Sequence, residues 1–355
     1  MLKYGFKSIP ADHCLYMRVT QRGKSIIAVH TDDMAAAAST PSEMESIIHD
    51  LHSMFDITDL GEILWMLGIE VSQNRDNRTV SLCQSTYIER IIKRFNLESA
   101  PPVWMPLTLE AKALSSVQCP STASETAAMS KVLYRAAIGS MMYAAMCMRP
   151  DIAFSVNRMA QFSVNPGQAH WSAVKHILSY LNATKSHCLV LGGRSSKITL
   201  HGSADSDFAS DIDTRKSVSG YAFFIGQGAI SWSSKKQATV ATSSCEAEYI
   251  SACHAAKEGI WLQNLLNLLG YEQEKPTSMQ SDNMGTITII KDPSFHARSK
   301  HIDIQHHYVR ERVESKELEF IYTPTSDTIA DVLTKPLSRP AHEKLTKMLG
   351  IHSIR

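Results

Sequence analysis

The sequence predicts an α/β protein laid out in three stretches, and three observations carry that prediction. Residues 1–72 alternate strand and helix signals. Residues 73–195 are dominated by helical periodicity. Residues 196–340 open with three closely spaced strand patterns and then one long helix, which leaves residues 341–355 as a tail. At 355 residues and 44% hydrophobic, the chain can build more than one core.

In the first stretch, Cys14 to Arg18 and Ser25 to Val29 read as strands. Thr40-Pro41-Ser42-Glu43 reads as a helix start: Thr40 is the N-cap, Pro41 lies in the first turn, and Glu43 stands three residues after the cap. That helix runs to about Phe55. Leu64 to Val71 reads as one buried strand containing a glycine, and Asn74 to Asn77 as a turn. In the second stretch, the helix from Gln84 to Phe95 gathers Tyr87, Ile88, Ile91, Ile92 and Phe95 on one side. The small, polar run Val117 to Thr126 reads as a linker. Helices follow over Leu133 to Met148, Ile152 to Ser163 and Ala169 to Leu181. In the third stretch, Ile198 to Ala204, Gly220 to Ile225 and Ala229 to Ser233 form an antiparallel meander. A helix from Ser244 to Leu269 is closed by Gly270. Strand Thr277 to Ser281, a short helix from Asn283, a helix from Ile302 to Val313, strand Leu318 to Tyr322 and a last helix after Ser326 complete the chain.

Composition removes several function classes. The formal net charge is +1, so a nucleic-acid surface would have to be local. The seven cysteines form no CxxC pair and read as buried or free thiols in a reducing compartment. The fifteen histidines show no zinc-site spacing. No apolar run is long enough to span a bilayer, and the N-terminus lacks the apolar stretch of a signal peptide, so the expectation is a soluble, intracellular protein with no membrane partner. The compartment itself is not readable.

Four acids stand on separate elements. Asp205 follows the first strand of the third stretch, Asp282 ends the fourth, Asp331 lies in the last helix, and one of two glutamates in Ser243-Ser244-Cys245-Glu246-Ala247-Glu248 begins the long helix. Taken singly, each also suits a helix cap at a strand end. Converged, four carboxylates repel one another unless cations fill the cluster. Two Mg2+ ions roughly 4 Å apart would do so, with Mn2+ as a substitute, and they suit phosphodiester hydrolysis. Magnesium prefers oxygen ligands, which accounts for carboxylates here rather than His or Cys.

Gly202 to Ala209, Arg215 to Tyr221, Ser243 to Ala252, Ser281-Asp282-Asn283, Lys300 to Ile304 and Ala330 to Pro336 resemble the ribonuclease H domain of copia-type retrotransposon polyproteins, in family order. Upstream, Gly5-Phe6, Asp12 to Tyr16, Tyr134-Arg135, Ile138-Gly139-Ser140 and Arg149 to Ile152 resemble the same family's reverse transcriptase and connection region. The resemblance implies a ribonuclease H-like fold, a five-stranded mixed sheet flanked by helices, preceded by a partial reverse transcriptase palm and connection region. It implies cleavage of the RNA strand of an RNA–DNA hybrid, with other element-encoded Pol segments as possible partners. Carried over residue by residue, Asp205, Glu248, Asp282 and Asp331 are the catalytic and metal-binding acids. Asp207, Asp211, Asp303 and Asp327 are then surface acids. Local chemistry agrees on the glutamates: Ser243-x-x-Glu246 matches a capping box, which leaves Glu248 facing the sheet end.

The sequence also departs from the family. Val29-His30-Thr31-Asp32-Asp33 stands where the family has an aromatic residue and Val before two aspartates, so Asp32 and Asp33 read as a polymerase-motif remnant and no polymerase activity is expected. Tyr322 to Asp327 lacks the mobile histidine of many cellular relatives, which implies either slower turnover or product release aided by a different group. Lys235, Lys236 and Lys300 are the candidate hybrid-phosphate contacts. The order of the acids argues against a transposase, whose glutamate comes last, and Asp205-Ser206-Asp207 argues against an exonuclease D-x-E. The alternative is an inactive remnant or a nucleic-acid-binding module, which metal titration distinguishes.

Overall fold

The computed structural model describes residues 1–194, 197–291 and 303–353. They form two compact units, Met1–Leu64 with Ile260–Glu274, and Trp65–Gly259 with Lys275–Arg355. Among the described residues no helix is long and apolar enough to cross a membrane.

In the first unit, β1 (Lys7–Ile9), β2 (Asp12–Thr20), β3 (Gly23–His30) and β4 (Asp33–Ala38) form an antiparallel sheet in chain order. Helix α1 (Pro41–Met54) packs on β3 and β4, and Ile47 and Leu51 meet Ile27 and Phe6 in a small core. Thr40 caps α1 by accepting from the Glu43 N–H at 3.2 Å. The Glu43 carboxylate does not return to the helix start. It is buried and accepts from Arg18 Nε at 2.9 Å, Ser25 Oγ at 3.0 Å and Thr20 Oγ1 at 2.7 Å. Burial alone would raise its pKa, but these donors hold it below the ordinary range. The β2–β3 register, with Arg18 opposite Ser25, sets up this cluster.

The second unit begins with a correction. Leu64 to Val71 is not one strand: β5 (Trp65–Met66) and β6 (Ile69–Asn74) are antiparallel arms of a hairpin. Leu67 and Gly68 have φ of 51° and 74°, the left-handed pair that a two-residue hairpin turn requires. Next come β7 (Thr79–Cys83) and α2 (Ser85–Arg94), whose Ile88, Ile91 and Ile92 are buried as the periodicity predicts. The expected linker at 117–126 holds structure instead: a 3-10 turn Ser116–Gln118, and α3 (Ala123–Ser130), started by reciprocal Thr122–Glu125 capping. Helices α4 (Tyr134–Cys147), α5 (Ala153–Ala160) and α6 (Gln168–Ala183) follow. Between them Arg149 is fully buried and forks onto Asp151 at 2.9 and 2.7 Å, while Tyr180 donates to the same carboxylate at 2.7 Å and Thr184 Oγ1 accepts from Arg149 at 2.7 Å.

Strand β8 (His187–Gly192) lies in the stretch expected to be mostly helical. It is followed by β9 (Leu200–Ser206), β10 (Val218–Ile225), β11 (Gly228–Lys236), α7 (Ser244–Leu268), β12 (Thr277–Ser281), α8 (Met284–Lys291), α9 (Asp303–Glu314) and β13 (Leu318–Tyr322). The last helix expected after Ser326 is replaced by two 3-10 turns, Thr325–Asp327 and Ile329–Leu333, and Asp331 sits in the second. The expected tail is also ordered. It holds α10 (Arg339–Met348) and β14 (Ile351–Ser353), because Leu345, Leu349 and Ile351 are apolar and become buried.

Two sheets organise this unit. One runs β14-β8-β7-β6-β5 and is antiparallel throughout. The other runs β11-β10-β9-β12-β13: β9 to β11 are antiparallel, while β12 is parallel to both β9 and β13. Ala222 and Phe224 of β10 enter one core with residues of α2, α4, α5, α6, the 3-10 turn Ile329–Leu333, α10 and β14. Segments 73–195 and 196–340 therefore share an interior. Trp232 packs against this core and donates its indole N–H to the Ala145 carbonyl at 2.8 Å.

One cysteine expectation fails. Cys83 on β7 and Cys188 on β8 face each other across adjacent strands, with Cα atoms 4.5 Å apart, and are joined as a disulfide. Their separation of 105 residues conceals the pairing from the sequence.

Candidate metal centre

Asp205 is the penultimate residue of β9, and the neighbouring β12 ends just before Asp282, so parallel pairing brings both acids to one sheet edge. Helix α7 starts beside them. Gln237, buried after β11, donates its amide to Ser219 Oγ and to the Ala247 carbonyl, both at 2.9 Å, which ties the first turn of α7 to the sheet. Ser251, one turn further on, donates to the Asp205 carbonyl at 2.6 Å. Carboxylate oxygens of Asp205, Glu248 and Asp282 consequently lie within 4.8 Å of one another.

The two glutamates of α7 part as their spacing requires. The Glu246 backbone N–H donates to Ser243 Oγ at 3.1 Å, and its carboxylate accepts from Thr242 N at 2.7 Å and Thr242 Oγ1 at 2.6 Å. It thus reaches one residue beyond the cap. Glu248 points the other way, 8% exposed. Burial, then Asp205, then Asp282 push its carboxyl far above the usual range, against the opposing pull of the Ser206 N–H.

Asp331 joins from the 3-10 turn. Gly220 on β10 lets that turn lie close, since a Cβ there would come within 2.6 Å of Thr334 Cγ2 and 2.9 Å of Leu333 Cβ. Burial and then Asp205 raise the Asp331 carboxyl. Lys335 opposes this, with Nζ 2.8 Å from Asp331 Oδ1 and 3.8 Å from Asp205 Oδ2. Thr334 Oγ1 donates to Asp205 Oδ2, and Thr325 Oγ1 to Asp282 Oδ2 at 2.6 Å.

Sequence reasoning missed Lys335, Thr334 and Thr325. The i, i+4 spacing of Asp331 and Lys335 was the available signal for the first. Asp207 and Asp211 correct the surface-acid expectation, because both are buried. Asp207 accepts from the Val218 N–H and the Ser210 hydroxyl; burial raises its pKa to about 7, with Asp205 adding to the rise. Asp211 pairs with Lys236 at 2.6 Å and Arg158 at 3.4 Å; these partners outweigh burial and hold it at about 2. Asp327 is exposed beside Lys344, and the Asp303 side chain lies outside the described residues.

The candidate phosphate contacts separate too. Lys235 is exposed, Lys236 is held by Asp211 and Gln161, and Lys300 lies outside the described residues. Asp32 and Asp33 belong to the first unit. They are exposed at the β3–β4 hairpin, where His30 pairs with Asp33 and Thr31 has φ 53°.

A family profile described as "Reverse transcriptase (RNA-dependent DNA polymerase)" matches residues 1–109. The chain is 42% identical over 344 residues to the "Retrovirus-related Pol polyprotein from transposon TNT 1-94" of Nicotiana tabacum, covering 97% of this chain and 26% of that protein. It is 36% identical over 353 residues to the corresponding polyprotein from transposon RE1 of Arabidopsis thaliana, covering 99% and 23%. The chain thus spans about a quarter of the length of these curated relatives. Among solved structures, LC11-RNase H1, isolated from compost, matches at 15% identity, with a TM-score of 0.30, over 41% of this chain and 96% of that one.

Proposed function

Since this chain belongs to the Pol polyproteins of copia-type retrotransposons, we propose that residues 196–340 form a ribonuclease H-like domain that cleaves the RNA strand of RNA–DNA hybrids. The observation that carries the reading is the convergence of Asp205, Glu248 and Asp282 within 4.8 Å, with Asp331 joined to Asp205 through Lys335. The donors suit a hard divalent cation: all are carboxylate oxygens, and Glu248 and Asp331 resist ionisation while none is bound. Asp205, Glu248, Asp282 and Asp331 would hold two Mg2+, with Mn2+ as a substitute. When bound, the ions supply an activated water and stabilise the leaving oxygen of the phosphodiester.

The chain's own residues do the positioning. Thr334 and Thr325 orient Asp205 and Asp282, Ser251 fixes the backbone behind Asp205, and Gln237 seats α7. Lys235, exposed on β11, would contact a hybrid phosphate, whereas Lys236 is neutralised by Asp211. Purified chain with labelled hybrid should release RNA fragments in Mg2+ and none in EDTA. An RNA–RNA duplex degraded as fast as the hybrid would reject this substrate class.

Electrostatics give a second test. Glu248, Asp331 and Asp207 all have folded pKa values above their ordinary ones. The unfolded chain therefore ionises first as pH rises, and stability present at low pH is lost between the ordinary and folded values. For Asp207 that window runs from 3.8 to about 7. The metal-free melting temperature should fall from pH 5 to pH 8. Mg2+, by favouring ionised carboxylates, should raise it more at pH 8. Equal Mg2+ shifts in thermal melts at both pH values would count against the cluster as a metal site.

A further inference from the structure

The following rests on the metal-binding reading above and concerns how the acid cluster fills. Lys335 brings a fixed positive charge into it. Its Nζ lies 2.8 Å from Asp331 Oδ1 and 3.8 Å from Asp205 Oδ2, and its side chain is 29% exposed. The placement is built into the fold. The Lys335 N–H closes a turn on the Asp331 carbonyl at 3.2 Å, the preceding Thr334 donates to Asp205, and Gly220 lets that turn seat on β10.

An ammonium between these two carboxylates stands where any cation shared by Asp205 and Asp331 would stand. At separations of a few ångströms, an ammonium and a divalent ion repel strongly in a partly buried site. Asp205, Glu248 and Asp282 converge without needing Asp331.

We infer that Lys335 is an internal occupant of the second cation position. One divalent ion is held tightly by Asp205, Glu248 and Asp282, and Lys335 must vacate the space beside Asp331 before a second is held. The side chain has somewhere to go. Lys335 and Pro336 line a cleft of about 310 Å³ whose walls also include Phe154, Phe208 and Asp207, with Lys112 and Arg158. Lys335 thereby makes two-ion occupancy conditional, and it acts as a positioning residue through the acids.

Isothermal titration of the full chain with Mn2+ alone, without nucleic acid, tests this. Wild type should bind one ion tightly and a second at least about tenfold more weakly. Lys335→Met should tighten the second ion by about tenfold or more, so that both fill together, whereas Lys335→Arg, which keeps the charge, should retain the wild-type pattern. Circular dichroism confirms folding, and Lys335→Gln gives the same comparison if the Met variant misfolds. Two equally tight ions in wild type, or identical isotherms for wild type and a folded charge-removing variant, would overturn the inference while leaving the metal site standing. Absence of any bound Mn2+ in wild type would remove both.

Discussion

Glu248→Gln should lower the proposed hybrid cleavage by roughly 10³-fold, the scale on which loss of one preorganised electrostatic partner is felt, and leave the chain folded. The amide keeps size and hydrogen bonding but loses the charge that Asp205 and Asp282 share with a bound cation. Because burial and those acids already oppose ionisation of Glu248, the metal-free variant should melt no lower than wild type at pH 8. Glu246→Ala, two residues away, behaves oppositely. It removes the acceptor of Thr242 N and Oγ1, which should cost about 0.5–2 kcal/mol of helix-start stability while the proposed cleavage is retained. Loss of cleavage in a folded Glu246→Ala, with activity retained in Glu248→Gln, would mean the active face of α7 has been misassigned.

The largest stability effect belongs to a residue outside the acid cluster. Asp151→Ala should cost about 3–5 kcal/mol, the penalty of stranding a buried charge. Arg149, 1% exposed, loses its bidentate partner, and the Tyr180 hydroxyl loses its acceptor. Replacing Arg149 by Met and Asp151 by Leu together should cost less than Asp151→Ala alone, since no lone charge remains. Chemical denaturation of the three proteins checks this. A Asp151→Ala midpoint equal to wild type would show that water reaches Arg149 and that the pair anchors nothing.

Local signals carried the legible part of this chain. Thr40, the stripe from Tyr87 to Phe95, Ser243 with Glu246, and strands Thr277–Ser281 and Leu318–Tyr322 are decided by caps and periodicity over a few residues, and all lie where the sequence places them. Asp205, Glu248 and Asp282 could be brought together because each ends or begins such an element. What stayed hidden depends on partners distant in sequence. Glu43 has the spacing of a capping glutamate, yet Arg18 across the β2–β3 hairpin claims its carboxylate. Asp207 and Asp211 sit in a polar loop and look solvated until Val218, Arg158 and Lys236 arrive from elsewhere. Gly68 reads as a strand interior unless Leu67 is known to share its left-handed backbone. Nothing local tells Cys83 that Cys188 lies opposite, or β8 that Ile351 will pair with Leu189.

That last pairing has a consequence for how the protein is made. Strand β8 emerges from the ribosome long before β14, so one edge of β8 stays unpaired through synthesis of all the intervening elements. An open strand edge with apolar neighbours such as Leu189 templates intermolecular pairing, and contacts so distant in sequence form slowly. The sheet closes only once the β14 residues have been made. A chain that has not yet reached β14 thus displays an open edge on β8 that a chain containing β14 does not.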